Sequence, residues 1–285
     1  MQTVGYSEQH STSQANFNEV EQKVAFFEKE GFVGPFTLGH TPSLLALRDG
    51  MSQAIGESQD QDQEPSSPAI QSNPNVMDRR IAHTTSRLVY DLATEPRILD
   101  DVADFMGPNL LFWMAETISR EPGHDGHIVE KTGQIWHIDV VNGWIKGVHV
   151  SIAVTEMTMK TGCLLVIPGT HKYDADLTAL EQAGECDLTD ADSMLRLADR
   201  MHPENAPHKI EAIQMKAGQY CFTRGGIWHG VSRNNDSRTR FGLVARFARP
   251  DIEVRGFGGK RFPCIVVRGE DSHQLNLLTD PPKNS

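Results

Sequence analysis

The segment QIWHIDVVNGW at 134–144 sets His137 and Asp139 two residues apart in a run that otherwise reads as strand. Side chains of an extended chain alternate between faces, so His137 and Asp139 point one way and Trp136 and Ile138 the other. A bare His-x-Asp pair is most often the polar face of a half-exposed strand, so the rest of the chain must supply further ligands. His229 ends the apolar run GIWHG, and Arg240 follows eleven residues later at the head of RFGLVARFA. Two imidazoles and one carboxylate form the facial set that leaves positions open on a non-heme Fe(II). Those positions suit a bidentate organic acid and dioxygen, whereas a structural zinc site would want four protein ligands, usually with thiolates. A planar guanidinium such as Arg240 is the natural partner for the far carboxylate of that acid.

The elements that must position these residues are bounded by composition. A chain of 285 residues with 38% hydrophobic content is long enough for one large globular domain or two small ones. Its formal net charge of −11 argues against nucleic-acid binding and against an electrostatic hold on anionic membrane, which leaves a small molecule as the expected partner. No apolar run approaches a bilayer-spanning length, and MQTVGYSEQHSTSQ lacks the hydrophobic stretch of a signal peptide, so a cytoplasmic location is expected. Cys163, Cys186, Cys221 and Cys264 form no CxxC pair and are expected as reduced thiols, mostly in the core. Oligomeric state is open, with a homodimer among the states allowed.

Residues 1–16 are polar and Ser/Gln-rich and read as a flexible tail. Asn18 with Glu21 three residues on resembles a capping box, opening a helix with Val20, Val24 and Phe27 on one stripe and Gly31 as its stop. A second helix is expected from Thr41 and Pro42, with Leu44, Leu47, Met51 and Ile55 at helical spacing, and a third from Thr94 to Gly107. The low-complexity stretch at 56–75 reads as a mobile loop, so 17–270 is taken as a single domain, followed by a polar C-terminal tail at 271–285. From residue 109 the chain turns to short apolar or alternating runs: NLLFWMAETI, GQIWHIDVV, KGVHVSIAVTEM, GCLLVIP, HKIEAIQM, QYCFT, GIWHGVS and RFGLVARFA. These predict a mainly β jelly-roll or cupin-like barrel with the N-terminal helices packed outside it. The acidic, partly helical insertion at 172–206 reads as a lid or as a surface excursion.

The ordered set of HxD, TGCLLVIPGTHK at 161–172, and His229 with Arg240 in HGVSRNNDSRTR resembles the phytanoyl-CoA dioxygenase (PhyH-like) family of Fe(II)/2-oxoglutarate oxygenases. The resemblance extends over roughly residues 19–250 and includes the early KEGFV. It implies a double-stranded β-helix core, with His137, Asp139 and His229 as iron ligands and Arg240 gripping the far carboxylate of 2-oxoglutarate. The implied cofactors are Fe(II), 2-oxoglutarate and O2. The implied reaction decarboxylates 2-oxoglutarate to succinate and CO2 while oxidising a substrate C–H bond. Related halogenases carry Gly or Ala at the position of Asp139, so an intact carboxylate points to hydroxylation or desaturation. Gln134 and Arg120 precede the HxD and are candidates to help hold 2-oxoglutarate from the neighbouring strand, at positions where the family's residue types vary.

Strand parity nominates further inward residues. Gly242, Val244 and Arg246 share a face with Arg240. Arg246 is then an inward cation that either contacts an acidic group of the substrate or closes the barrel with an ion pair. In GVHVSIAV the apolar face takes Val148, Val150, Ile152 and Val154 and leaves His149, Ser151 and Ala153 on the other. Relatives often carry a bulky Trp near Ser151, so this cavity has its own shape, and Trp144 is a candidate wall of it. His124 and His127 lack a third ligand at matching spacing, His171 belongs to a structural run, and GFGGK at 256–260 lacks the context of a phosphate loop. The substrate indicated is a polar small molecule such as an amino-acid-like or natural-product intermediate. The competing readings are a cupin-type isomerase or 2-oxoglutarate-independent dioxygenase, and a non-catalytic barrel. Succinate release that needs both iron and 2-oxoglutarate separates the first reading from both.

Overall fold

The computed structural model describes residues 20–39, 42–59, 81–123, 136–139, 147–204, 206–255 and 261–283, without the side chains of 54–59. Helix α1 runs Val20–Glu30 and ends where Gly31 takes φ +80°. A β-carbon on Gly31 would collide with the His171 ring, so glycine satisfies both the turn and the close approach there. Helix α2 spans Pro42–Gln59. It therefore continues through the first residues of the stretch expected as a loop at 56–75, where Glu57 and Gln59 are good helix formers; residues 60–80 lie outside the described ones. Two short helices that the periodicity did not separate follow, α3 (Ala82–Thr85) and α4 (Arg87–Ala93), the latter capped by the Ser86 hydroxyl accepting from the Val89 N–H. Helix α5 (Pro96–Met106) has Pro96 in its first turn and Gly107 as its stop, close to the expected Thr94–Gly107.

Alternation along the strands decides the layering. Ten strands are described: β1 Phe32–Thr37, β2 Leu110–Arg120, β3 Val148–Ala153, β4 Leu164–Ile167, β5 Glu211–Ile213, β6 Gln219–Arg224, β7 Trp228–Val231, β8 Arg240–Ala248, β9 Pro263–Arg268 and β10 Leu277–Leu278. They form a seven-stranded sheet in the order β1-β6-β3-β8-β2-β9-β10 and a three-stranded sheet in the order β5-β4-β7. One face of the larger sheet, with Val148, Val150, Ile152, Tyr220, Phe222, Leu243, Ala245 and Phe247, packs against helical residues including Phe27, Val89, Ile98, Val102 and Phe105. Each such side chain contributes about 1.5–3 kcal/mol by leaving water. This is the core that puts the helices outside the β scaffold, as expected for the double-stranded β-helix, with the sheets facing each other rather than closing into a continuous barrel.

The other face of the large sheet looks toward the small one. Directly paired residues share a face. The pairs Arg120↔Arg240, Ile118↔Gly242, Glu116↔Val244 and Met114↔Arg246 of β2 and β8 therefore line the interior, with Ala153, Ser151 and His149 of β3 beside them. Within the insertion, helices α6 (Leu177–Gln182) and α7 (Ala191–Met201) and the turn between them pack Leu177, Leu188, Met194 and Leu197 into the core of the small sheet. Within the polar C-terminal segment, β10 pairs in parallel with β9 at the edge of the large sheet. No helix among the described residues is long and apolar enough to cross a membrane.

Candidate active site

Among the described residues 136–139, which form no regular strand, His137 is held by a bridge to His229. His137 N–H donates to the His229 carbonyl at 2.9 Å and His229 N–H donates back at 3.0 Å. One residue upstream, the Trp136 N–H donates to Leu188 O at 3.0 Å, so the insertion also steadies the approach to His137. On β7, His229 sits opposite Val166 of β4. The backbone thus brings residues 92 positions apart into contact, and ligand atoms of His137, Asp139 and His229 all lie within 4.8 Å of one another. The two imidazole centroids are 4.2 Å apart. Nδ1 of His229 lies 2.9 Å from the Ile227 carbonyl. A carbonyl only accepts, so Nδ1 carries the proton and the Nε2 lone pair is left for a metal. Two imidazoles and a carboxylate converging in this way fit a divalent iron with open positions.

Asp139 is held from two sides. Its Oδ2 accepts from Arg246 Nη2 at 3.0 Å and lies 3.1 Å from His149 Nδ1. Burial by itself would raise the Asp139 carboxyl, but Arg246, His149 and His229 hold it well below the usual carboxylate range. Burial also lowers His149, and because an ionised carboxylate oxygen only accepts, the Nδ1 facing it presents its N–H. Arg246 is buried, with Nη1 3.2 Å from Met114 Sδ and 3.9 Å from a Glu116 carboxylate oxygen. Glu116 escapes sequence reasoning, because its inward placement follows only from the pairing of β2 with β8.

Arg240 is 5% exposed and directly faces Arg120 across the β2–β8 ladder. Burial, and then the neighbouring Arg120, push its pKa down to about 10; burial likewise lowers Arg120, with Glu116 opposing. The Arg240 Nε–H donates to the Gly162 carbonyl at 3.0 Å, which fixes the plane of the guanidinium. Gly162 has φ +93°, and a β-carbon there would lie 2.9 Å from the Ser232 carbonyl, so the glycine of TGCLL lets this loop reach Arg240. Asn234 donates to the carbonyls of Arg120 and Arg238 at 2.8 and 2.9 Å, tying the end of β2 to the approach to β8. Two adjacent guanidiniums, Arg240 buried and Arg120 partly exposed, fit a carboxylate ligand, whose charge offsets their repulsion.

Of the other residues singled out, Ser151 lies on the inner face between Val244 and Cys221. The His171 Nε2 is 3.0 Å from the Glu28 carbonyl and Lys172 donates to the Lys29 carbonyl, so PGTHK caps the C-terminus of α1 and stands apart from the cluster. Gln134, Trp144, His124, His127 and the 256–260 stretch lie outside the described residues.

Facing sheets around a two-histidine, one-carboxylate cluster, with Arg240 buried beside Arg120 at one end of the same face, define the scaffold of the non-heme iron, 2-oxoglutarate-dependent oxygenases. The phytanoyl-CoA dioxygenase (PhyH) family model matches residues 27–242, and the chain belongs to that family. It is 26% identical over 164 residues to the ectoine dioxygenase of Sphingopyxis alaskensis, an overlap of 53% of this chain and 51% of that protein. The chain thus spans about half the length of this curated relative. Among solved structures, the nickel complex of the non-heme monooxygenase ThoJ matches with TM-score 0.62 at 19% identity, covering 92% of this chain and 89% of that one. CytC3 with Fe(II) and α-ketoglutarate matches with TM-score 0.60 at 18% identity, covering 90% of this chain and 92% of that one. At these identities the likeness is one of fold.

Proposed function

We propose that this chain hydroxylates a C–H bond of a polar small molecule, such as an amino-acid-like or natural-product intermediate, using Fe(II), O2 and 2-oxoglutarate. The observation that carries this reading is the convergence of His137, Asp139 and His229 on one point of the interior. In the balanced reaction, 2-oxoglutarate, O2 and R–H give succinate, CO2 and R–OH, one oxygen atom entering each organic product. Bound iron supplies the activation of dioxygen.

The chain's own residues supply position and exclusion of water. His137, Asp139 and His229 would hold the metal, the last through Nε2. Arg240 would grip the far carboxylate of the co-substrate with its plane set by Gly162, while Arg120 across the ladder adds a second positive charge; Gln134 is proposed beside them. The substrate would lie on the β3 side, where His149 and Ser151 face inward beside Arg246, with Trp144 proposed as a wall. Between the two sheets, away from bulk water, each charged contact is stronger than it would be in water. A carboxylate at 139 clamped by Arg246 and His149 supports hydroxylation over halogenation, because it occupies the place a halide would need.

Anaerobic titration of the metal-free protein with Fe(II) and 2-oxoglutarate tests the assignment. The expected result is the weak visible charge-transfer band of the chelate in the wild type, absent in His137→Ala and Asp139→Ala and weakened in Arg240→Ala. Substrates are then sought by coupled succinate release. A wild type that gives no band and binds no iron overturns the reading.

A further inference from the structure

Asp139 follows His137 in a segment whose backbone is bridged only at His137 among the described residues, so the ladder does not set its carboxylate. Two side chains from neighbouring strands do. His149 of β3 stands opposite Arg246 of β8, and both reach the same oxygen, Oδ2, at 3.1 and 3.0 Å. A carboxylate oxygen has two lone pairs, and two donors on Oδ2 occupy both. Among the described residues Oδ1 accepts no hydrogen bond; it lies 3.8 Å from His137 Nε2, while Oδ2 lies 3.9 Å from His229 Nε2. A carboxylate free to turn about its Cβ–Cγ bond can bind a metal through both oxygens, and the second would fill a coordination position needed by the organic acid or dioxygen.

We infer that His149 is a positioning residue: with Arg246 it saturates Oδ2 of Asp139, so that this aspartate offers the metal Oδ1 alone. The inference rests on the reading of His137, Asp139 and His229 as the metal site. His149 suits the task because it is 5% exposed and its Nδ1 lies 3.1 Å from Oδ2, so its ring is held against that oxygen. Arg246 alone would leave Oδ2 with a free lone pair, and an aspartate turned by a few tens of degrees would present it inward.

The test is titration of the metal-free protein with Co(II), a coloured stand-in for Fe(II), in wild type, His149→Ala, His149→Phe and His149→Asn. Thermal unfolding of each metal-free protein reports whether it is folded. Loss of an outer partner of a metal ligand typically weakens metal binding about 10–100-fold, which is the drop expected for the Ala and Phe variants, together with a changed visible spectrum. Asn, whose side-chain N–H reaches the same distance as Nδ1, should restore affinity and spectrum to near wild type. Wild-type affinity and spectrum in a folded His149→Phe protein would overturn the inference while leaving the metal site in place. A wild type that takes up no Co(II) would instead overturn the metal-site reading itself.

Discussion

Arg120 and Arg240 face each other directly across β2 and β8, both in the interior, and the two chain segments that carry them are tied together by the Asn234 side chain. Like charges at directly opposed strand positions are destabilising, and burial sharpens the repulsion. A carboxylate bound at that end of the cavity would offset the repulsion, as Glu116 does in part for Arg120.

The two arginines are therefore expected to contribute unequally to 2-oxoglutarate affinity. Arg240 has its Nε anchored on Gly162, so its remaining N–H groups are aimed, and Arg240→Ala should weaken binding by about 1.5–3 kcal/mol, roughly 10–100-fold. Arg120→Met keeps the apolar stem and removes the charge together with the bond to the Ser119 carbonyl, so a smaller loss of a few-fold is expected, with a gain in thermal stability where the lost repulsion outweighs that bond. Measuring the 2-oxoglutarate dissociation constant and the unfolding midpoint of each variant checks both. Unchanged affinity in Arg120→Met would confine that residue to a structural role.

Gly162→Ala separates the aim of Arg240 from its presence. The substitution puts a β-carbon 2.9 Å from the Ser232 carbonyl at a residue with φ +93°, and strain of this kind costs about 1–3 kcal/mol. If the loop shifts to relieve it, the carbonyl that orients Arg240 moves as well. KM for 2-oxoglutarate should rise several-fold, with kcat at saturation much less affected. A variant that loses stability but keeps its KM would show that the guanidinium finds its plane without Gly162.

How far the sequence carried this site depends on which contacts are local. His137 and Asp139 share a face at spacing two, and parity along RFGLVARFA puts Arg246 inward with Arg240; both follow from one strand at a time. In the structure Arg246 and His149 meet Asp139. That contact was invisible in the sequence, because it needs the β3–β8 pairing and the path of the chain after Trp136. Glu116 stayed hidden for the same reason. The fold class was legible in the eight apolar runs and the three leading helices, whereas β1 was masked by the Gly34-Pro35 pair in FVGPFT, which reads as a turn. The short helices α3 and α4 have too few residues for a periodic signal.

His83 provides a pH-dependence far from the active site. It is fully buried, with Nε2 2.9 Å from the Pro263 carbonyl, and burial lowers its pKa to about 4. In the unfolded chain it titrates near the ordinary value of about 6.5. Between these values the unfolded state binds the extra proton, so stability is intact above about pH 6.5 and is lost as pH falls toward 4. The full loss from this group is on the order of 3 kcal/mol. Denaturant unfolding at pH 7 and pH 5 should show a steeper fall for wild type than for His83→Gln, whose amide can still donate to Pro263. Parallel curves for the two proteins would assign the acid sensitivity to other groups.

The insertion at 172–206 can be tested as a lid by its exchange behaviour. Leu177, Leu188, Met194 and Leu197 are all buried in the core of the small sheet, and exposing these four side chains would cost on the order of 6–12 kcal/mol, comparable to the stability of a whole domain. Further ties run from His208 to Asp199 and to the Tyr173 hydroxyl at 3.0 and 2.8 Å. A segment so held is expected to stay closed during turnover, since opening as a unit would unfold its part of the core. Amide hydrogens of α7 are therefore expected to exchange as slowly as those of β4 and β6, with no change when Fe(II) and 2-oxoglutarate are added. Fast exchange across α7 that slows on loading the site would instead make the insertion a gate coupled to Trp136 and the neighbouring His137.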